Sequence, residues 1–231
     1  MDYLIENGVL IKVIDPEPSV IIPDSVRIIG SGAFLGCENI TDVVIPKSVI
    51  SIENFAFACC NKIEKITIPD SVINMNGTFI GCKSLTEAPA IPDSVINMYC
   101  TFENCTSLTE APAIPDGVED MGSTFRGCSS LTKASKISNN TKYMFETFWC
   151  CKSLIEAPAI PDGVISMYYT FANCKSLTEA PEIPDSVKEM DSTFSCCTSL
   201  TEAPKIPDSV TDKRGIFKGC KSLKKKKRTV I

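Results

Sequence analysis

Residues 37–60 read Cys-Glu-Asn-Ile-Thr-Asp-Val-Val-Ile-Pro-Lys-Ser-Val-Ile-Ser-Ile-Glu-Asn-Phe-Ala-Phe-Ala-Cys-Cys. Within this stretch Val43 and Ile45 alternate with their neighbours, the period of a half-buried strand. Pro46 ends the strand, Ser48 brings turn chemistry, and Val49 starts a return path that reaches Ile52 and then Ala56-Phe57-x-x-Cys60. Each landmark recurs. Phenylalanine stands at 34, 57, 79, 102, 125, 148, 171, 194 and 217, always three residues before a cysteine, with steps of 23 and a single step of 22. Isoleucine stands at 22, 45, 68, 91, 114, 137, 160, 183 and 206. A register kept through nine copies gives each copy the same surroundings, so the chain is a stack of similar coils and not a globule with one centre.

The copies fall into two subtypes. The apolar position after the return valine is Ile29 and Ile52 in the first two, then Met75, Met98, Met121, Met144, Met167 and Met190. From the third copy the strand segment is one residue longer, as in Leu85-x-x-Ala88-Pro89-x-Ile91-Pro92, while Val72 to Phe79 is one residue shorter than Val49 to Phe57. The two changes cancel, and the 22-residue step in the Phe ladder is their trace. The longer segment puts proline at 89, 112, 158, 181 and 204. Proline cannot donate to a ladder, which predicts a regular sheet in the first two or three coils and an interrupted ribbon beyond them. One strand per coil is expected, on one face of the stack.

The string Cys37-x-x-Ile40-x-x-Val43-x-Ile45-Pro46-x-Ser48-Val49-x-x-Ile52, followed by Ala56-Phe57-x-x-Cys60, resembles the BspA-type (Treponema-type) leucine-rich repeat, and the resemblance runs from about residue 20 to 223. It implies a mainly-β leucine-rich-repeat solenoid with a parallel sheet on the concave face and short turns or 3-10 segments on the convex side. It also implies protein binding, including adhesion at a cell surface, in place of catalysis. Asn7-Gly8 between two apolar runs reads as a tight hairpin. We expect residues 1–21 to form a capping hairpin, residues 22–223 nine repeats with a change of subtype near 75, and residues 224–231 a basic tail.

The charge is unevenly spread. Over the whole chain it is −5, but residues 1–220 carry 17 basic and 28 acidic groups, a net of −11. Nucleic acid is therefore not an expected partner of the body. No apolar run approaches the roughly 18 residues needed to span a bilayer. The first residues lack the basic start and unbroken apolar stretch of a secretory signal; as the sequence stands this points to the cytoplasm or nucleus, and to the cell surface or secretion if a native leader lies outside it. There is no histidine, no Cys-x-x-Cys pair and no Gly-rich phosphate loop, so neither catalysis nor a metal or other cofactor is expected. Nine of the 13 cysteines follow the repeat and read as buried, reduced thiols; Cys59, Cys100, Cys150 and Cys196 lie off that column, open to exposure and oxidation.

Function is then a matter of surfaces. Glu87, Glu110, Glu156, Glu179 and Glu202 share one column near the strand, a candidate acidic ribbon for a protein partner with a basic segment; Lys83, Lys152 and Lys175 nearby are the alternative, as neutralisers of that column. Asp70, Asp93, Asp116, Asp162, Asp185 and Asp208 share a second column after Ile-Pro, where the side chain is expected to bond its own turn. Trp149, the only tryptophan, lies in the most irregular copy and is a candidate contact residue. The leading expectation is a non-catalytic protein-protein interaction module, monomeric or weakly dimeric, that binds through its extended sheet face. The alternative is a structural spacer whose basic tail, Lys224, Lys225, Lys226, Lys227 and Arg228, directs localisation or binds an anionic surface.

Overall fold

The structure, a computed structural model, describes residues 1–224. It contains seven strands and no helix among the described residues: β1 (Asp2–Glu6), β2 (Val9–Ile14), β3 (Ser19–Ile21), β4 (Ile28–Ile29), β5 (Asp42–Val44), β6 (Ser51–Ile52) and β7 (Lys65–Ile66). β1 and β2 form an antiparallel hairpin whose turn residues, Asn7 and Gly8, both adopt positive φ. β2 then pairs in parallel with β4, and β4 with β6, so the hairpin continues directly into a ladder of the stack. β3, β5 and β7 make a second parallel ladder. The expected mainly-β solenoid is what forms, with two parallel ladders per coil in place of one.

Beyond β7 both ladders thin to single bridges. One runs through Asn74, Asn97, Asp120, Tyr143, Ser166, Glu189 and Asp212; the other runs through Glu87, Glu110, Lys133, Glu156 and Glu179. The prolines account for the second, as expected. The first thins for another reason. Asn74, Asn97, Asp120 and Asp212 each accept the backbone N–H two residues on, at 2.8 to 3.2 Å, so a side-chain turn competes with strand extension.

We number the coils 1 to 9 by their ladder phenylalanine, from Phe34 to Phe217. Phe34 through Phe194 are fully buried or nearly so, and successive rings stack with centroids 4.6 to 5.9 Å apart. Burying a side chain of this size contributes roughly 1.5–3 kcal/mol. The thiol column has a polar role as well. The Phe34 carbonyl accepts the N–H of Cys37 at 3.0 Å and the Sγ–H of Cys60, one coil on, at 3.1 Å; the same thiol bond recurs to Cys220. Threonine forms a parallel ladder in the second subtype: the hydroxyls of Thr101, Thr124, Thr147, Thr170 and Thr193 each donate to a methionine carbonyl of the preceding coil at 2.7 to 2.9 Å.

These ladders falter where the subtype changes. Ser51 pairs with Ile28 and Asn74 with Asn97, but no bridge joins Ser51 to Asn74 among the described residues. Thr78, the first threonine of its column, has no partner for its buried hydroxyl, and Ser48 Oγ and Asn76 Oδ1 are likewise unpaired. The coils on either side of this seam remain joined by Phe57 N–H to Thr78 O, Cys59 N–H to Ile80 O and Cys82 Sγ–H to Phe57 O.

Candidate functional site

The glutamate column is a real geometric object. Glu87 bridges Glu110, and Glu156 bridges Glu179, all four exposed. Lys133 occupies the same column between Glu110 and Glu156, which divides the carboxylates into two short groups. Lys83, Lys133, Lys152 and Lys175 form no ion pair with the column among the described residues; Lys133 is the basic residue that stands inside it, which follows from reading the column through the irregular copy. At the far end Lys224 Nζ meets Glu202 Oε1 at 3.1 Å. Lys225, Lys226, Lys227 and Arg228 lie outside the described residues. The aspartate column does not bond its turns as expected. Each turn is closed by the backbone instead, Val72 N–H to Pro69 O at 3.0 Å being typical, which leaves the aspartates without that role.

Trp149 lies elsewhere, on the turns that carry the Phe ladder, and no hydrogen bond, ion pair or ring contact joins it to the glutamate column among the described residues. Its surroundings were not read from the sequence. Two residues of every turn adopt left-handed backbone: the one two before each ladder Phe, and the one just before each column cysteine. The first set is Gly32, Phe55, Gly77, Cys100, Ser123, Glu146, Tyr169, Ser192 and Gly215; the second includes Cys59, Asn104, Cys150 and Cys196 among glycines. All four off-column cysteines therefore sit at left-handed positions, and they differ in access: Cys59 is exposed, Cys150 and Cys196 are half-buried, and Cys100 is buried. A side chain there is disfavoured by roughly 1–2 kcal/mol relative to glycine. The recurrent glycines at fixed offsets from Phe were the available signal.

Six of the eight aromatic residues outside the Phe ladder fall in coils 4 to 7, five on this strained face, Tyr99, Phe145, Trp149, Tyr168 and Tyr169, and Tyr143 on the adjoining bridge ladder. Tyr99 and Phe145 belong to coils two apart, yet their ring centroids are 5.9 Å apart. The intervening coil presents Gly122, and a Cβ there would lie 2.3 Å from Phe145 Cζ, so the missing side chain is what lets the ring lean across. Trp149 packs edge-on against Tyr169 at 6.3 Å, and Tyr169 against Tyr168 at 4.5 Å. The Arg126 guanidinium stacks 4.1 Å from the Trp149 ring centroid and lies 3.4 and 3.5 Å from carboxylate oxygens of Glu103 and Glu146. A second arginine, Arg214, bridges Asp191 and Asp212 at 3.0 and 2.8 Å. The Trp149 indole N–H is buried without an acceptor.

A family model for the BspA type leucine rich repeat region matches residues 18–110 and 94–224, in six copies. The chain belongs to the BspA-type leucine-rich repeat family. Among solved structures it is similar to a leucine-rich repeat protein from Bacteroides ovatus, with a TM-score of 0.70 and 27% identity over 96% of this chain and 67% of that one. It is also similar to the T. pallidum leucine-rich repeat protein, with a TM-score of 0.59 and 22% identity over 86% of this chain and 87% of that one; there the likeness speaks for the fold alone. A comparison with curated protein sequences gives no match.

Within this repeat family frame the cysteines read as structural. All 13 are free thiols. Burial pushes the Cys197 thiol up to about 12 and the Cys105, Cys128, Cys151 and Cys174 thiols higher still, so they remain protonated donors to the Phe carbonyls. Cys100 is also pushed up to about 12, first by burial and then by its hydrogen bond with Glu103. No helix among the described residues is long and apolar enough to cross a membrane.

Proposed function

We propose that this chain is a non-catalytic protein-interaction module of the cell-surface kind, and that it binds its partner through the aromatic turn face of coils 4 to 7. The observation that carries the reading is the gathering of five off-ladder aromatics with Arg126 on these turns, the composition of interface hot spots. The surface location follows the family resemblance. The basic run on which a nuclear or anionic-surface role would rest lies, apart from Lys224, outside the described residues, and nothing described favours the spacer reading.

The glutamate column is a second reading. It is favoured by one contact, the Lys224 to Glu202 pair, in which the column holds a cation. Such an exposed pair is worth about 0–1 kcal/mol. The test separates the two faces by measuring retention of cell-surface proteins on immobilised chain, comparing the Tyr168→Ala/Tyr169→Ala variant with Glu110→Lys/Glu156→Lys. Loss with the first and retention with the second is expected. The reverse pattern would move the interface to the acidic column, and equal retention by both variants would remove both faces.

A further inference from the structure

The turn face carries one carboxylate at a left-handed backbone position. Glu146 occupies a left-handed position, φ 55°, where other coils use Gly32, Gly77 and Gly215. Its Oε2 is engaged, by the Ser123 hydroxyl at 3.3 Å and by Arg126 at 3.5 Å. Its Oε1 makes no hydrogen bond or ion pair among the described residues. Phe145 and Trp149 belong to the same turn, the Glu146 N–H donates to Tyr168 O at 2.8 Å, and Phe145 packs against Tyr99 at 5.9 Å. A free carboxylate oxygen among aromatic rings is the arrangement that holds a cation, because ring faces and carboxylate attract it together.

The molecule already shows which cation fits. Arg126 lies on Trp149 between Glu103 and Glu146, and its ion-pair distances, 3.4 and 3.5 Å, are loose. A planar guanidinium stacks on a ring and takes a carboxylate edge at once, which an ammonium cannot do. The surrounding charge favours a cationic partner. Within coils 4 to 7, Glu103, Glu119, Asp120 and Glu146 outnumber Arg126 and Lys142 on these turns and the adjoining ladder. We propose that Glu146 and the rings of Tyr99, Phe145, Trp149 and Tyr168 form a docking site for an arginine side chain of a partner protein's basic segment. This rests on the turn face being the interaction surface.

The test uses the full chain and three nine-residue probe peptides in which Ser alternates with Arg, Lys or Glu, followed by the emission of Trp149, the only tryptophan. Saturable change with the Arg peptide is expected, with the Lys peptide about fivefold weaker and none with the Glu peptide. Glu146→Gln should weaken Arg-peptide binding about tenfold, while Glu110→Gln should leave it within about twofold. Glu146→Gly separates site from scaffold: it relieves the left-handed strain, so its Tm should rise while binding is lost. Binding that tracks Glu110→Gln, or is unchanged in Glu146→Gln, overturns the proposal. If the Arg peptide fails to bind while Tyr168→Ala/Tyr169→Ala still abolishes capture of surface proteins, the interaction face stands and the arginine site falls.

Discussion

The segment Leu85-Thr-Glu-Ala-Pro-Ala-Ile-Pro92 returns unchanged as residues 108–115 and with one substitution as residues 154–161. Three residues before the ladder Phe, by contrast, coils 3 to 9 present Asn76, Tyr99, Gly122, Phe145, Tyr168, Asp191 and Arg214, a different residue at almost every step. Apart from its buried Leu, the repeated segment lies largely at the surface, as do most of the varying residues, and the same Phe, Leu and Cys columns lie beneath both. A surface that is alike at every coil offers a partner only a periodic ribbon, on which any register is as good as the next. One that changes from coil to coil offers a single address. The uniform columns supply the stack, and the variable turns supply what distinguishes one part of it from another.

The widest test of the uniform part is alkaline titration. The thiols ionise near 9.0 when unfolded, but in the fold that of the column residue Cys197 and that of the off-column Cys100 are held protonated to about 12, and those of most other column cysteines higher. The folded state binds more protons across that window, so these groups contribute stability that is complete below pH 9 and lost as pH rises through 9 toward 12. A denaturation midpoint that stays flat from pH 9 to 11 would show that the thiols are not buried as described. Next in size is Phe125→Ala, expected to cost roughly 3–5 kcal/mol in urea unfolding, against a change near zero for Glu110→Ala. Equal effects would mean that inside and outside are reversed. Thr124→Val and Thr78→Val should differ in sign. The first removes a buried hydroxyl bonded to Met98 O and Met121 O and should destabilise by about 1 kcal/mol; the second removes a buried hydroxyl with no partner and should be neutral or stabilising by up to about 1 kcal/mol. Smallest is Gly122→Ala. Its Cβ would meet the far edge of a movable ring, so stability should shift by under about 0.5 kcal/mol. The Tyr99–Phe145 contact should nevertheless open, seen as loss of ring-current shifts on Tyr99.

The fold was legible because its columns are long: nine Ile at a step of 23 and nine Phe with one step of 22 mark a stack of coils. The thinning of the proline-bearing ladder was legible too, since the missing N–H is written in the sequence. The second ladder was not, because strands of two residues, Ile28–Ile29 and Ser51–Ile52, are too short to show alternation. The acidic column could be read by position, but Lys133 inside it was hidden in the irregular copy. Trp149 stood out as unique, whereas its neighbours did not. Tyr99 and Phe145 meet across an intervening coil only through an absence, the side chain that Gly122 lacks.

The seam between Ser51 and Asn74 has a mechanical meaning. In a stack whose coils hold only their neighbours, strength in series is that of the weakest junction. Pulled by its ends, this molecule should part first between coils 2 and 3, where neither ladder has a bridge among the described residues and Ser48, Asn76 and Thr78 leave polar atoms unpaired. The break would strip away the hairpin and two coils as a piece while leaving the aromatic turns of coils 4 to 7 intact. A tether fixed at the hairpin would then act as a fuse, yielding under load before the binding face does.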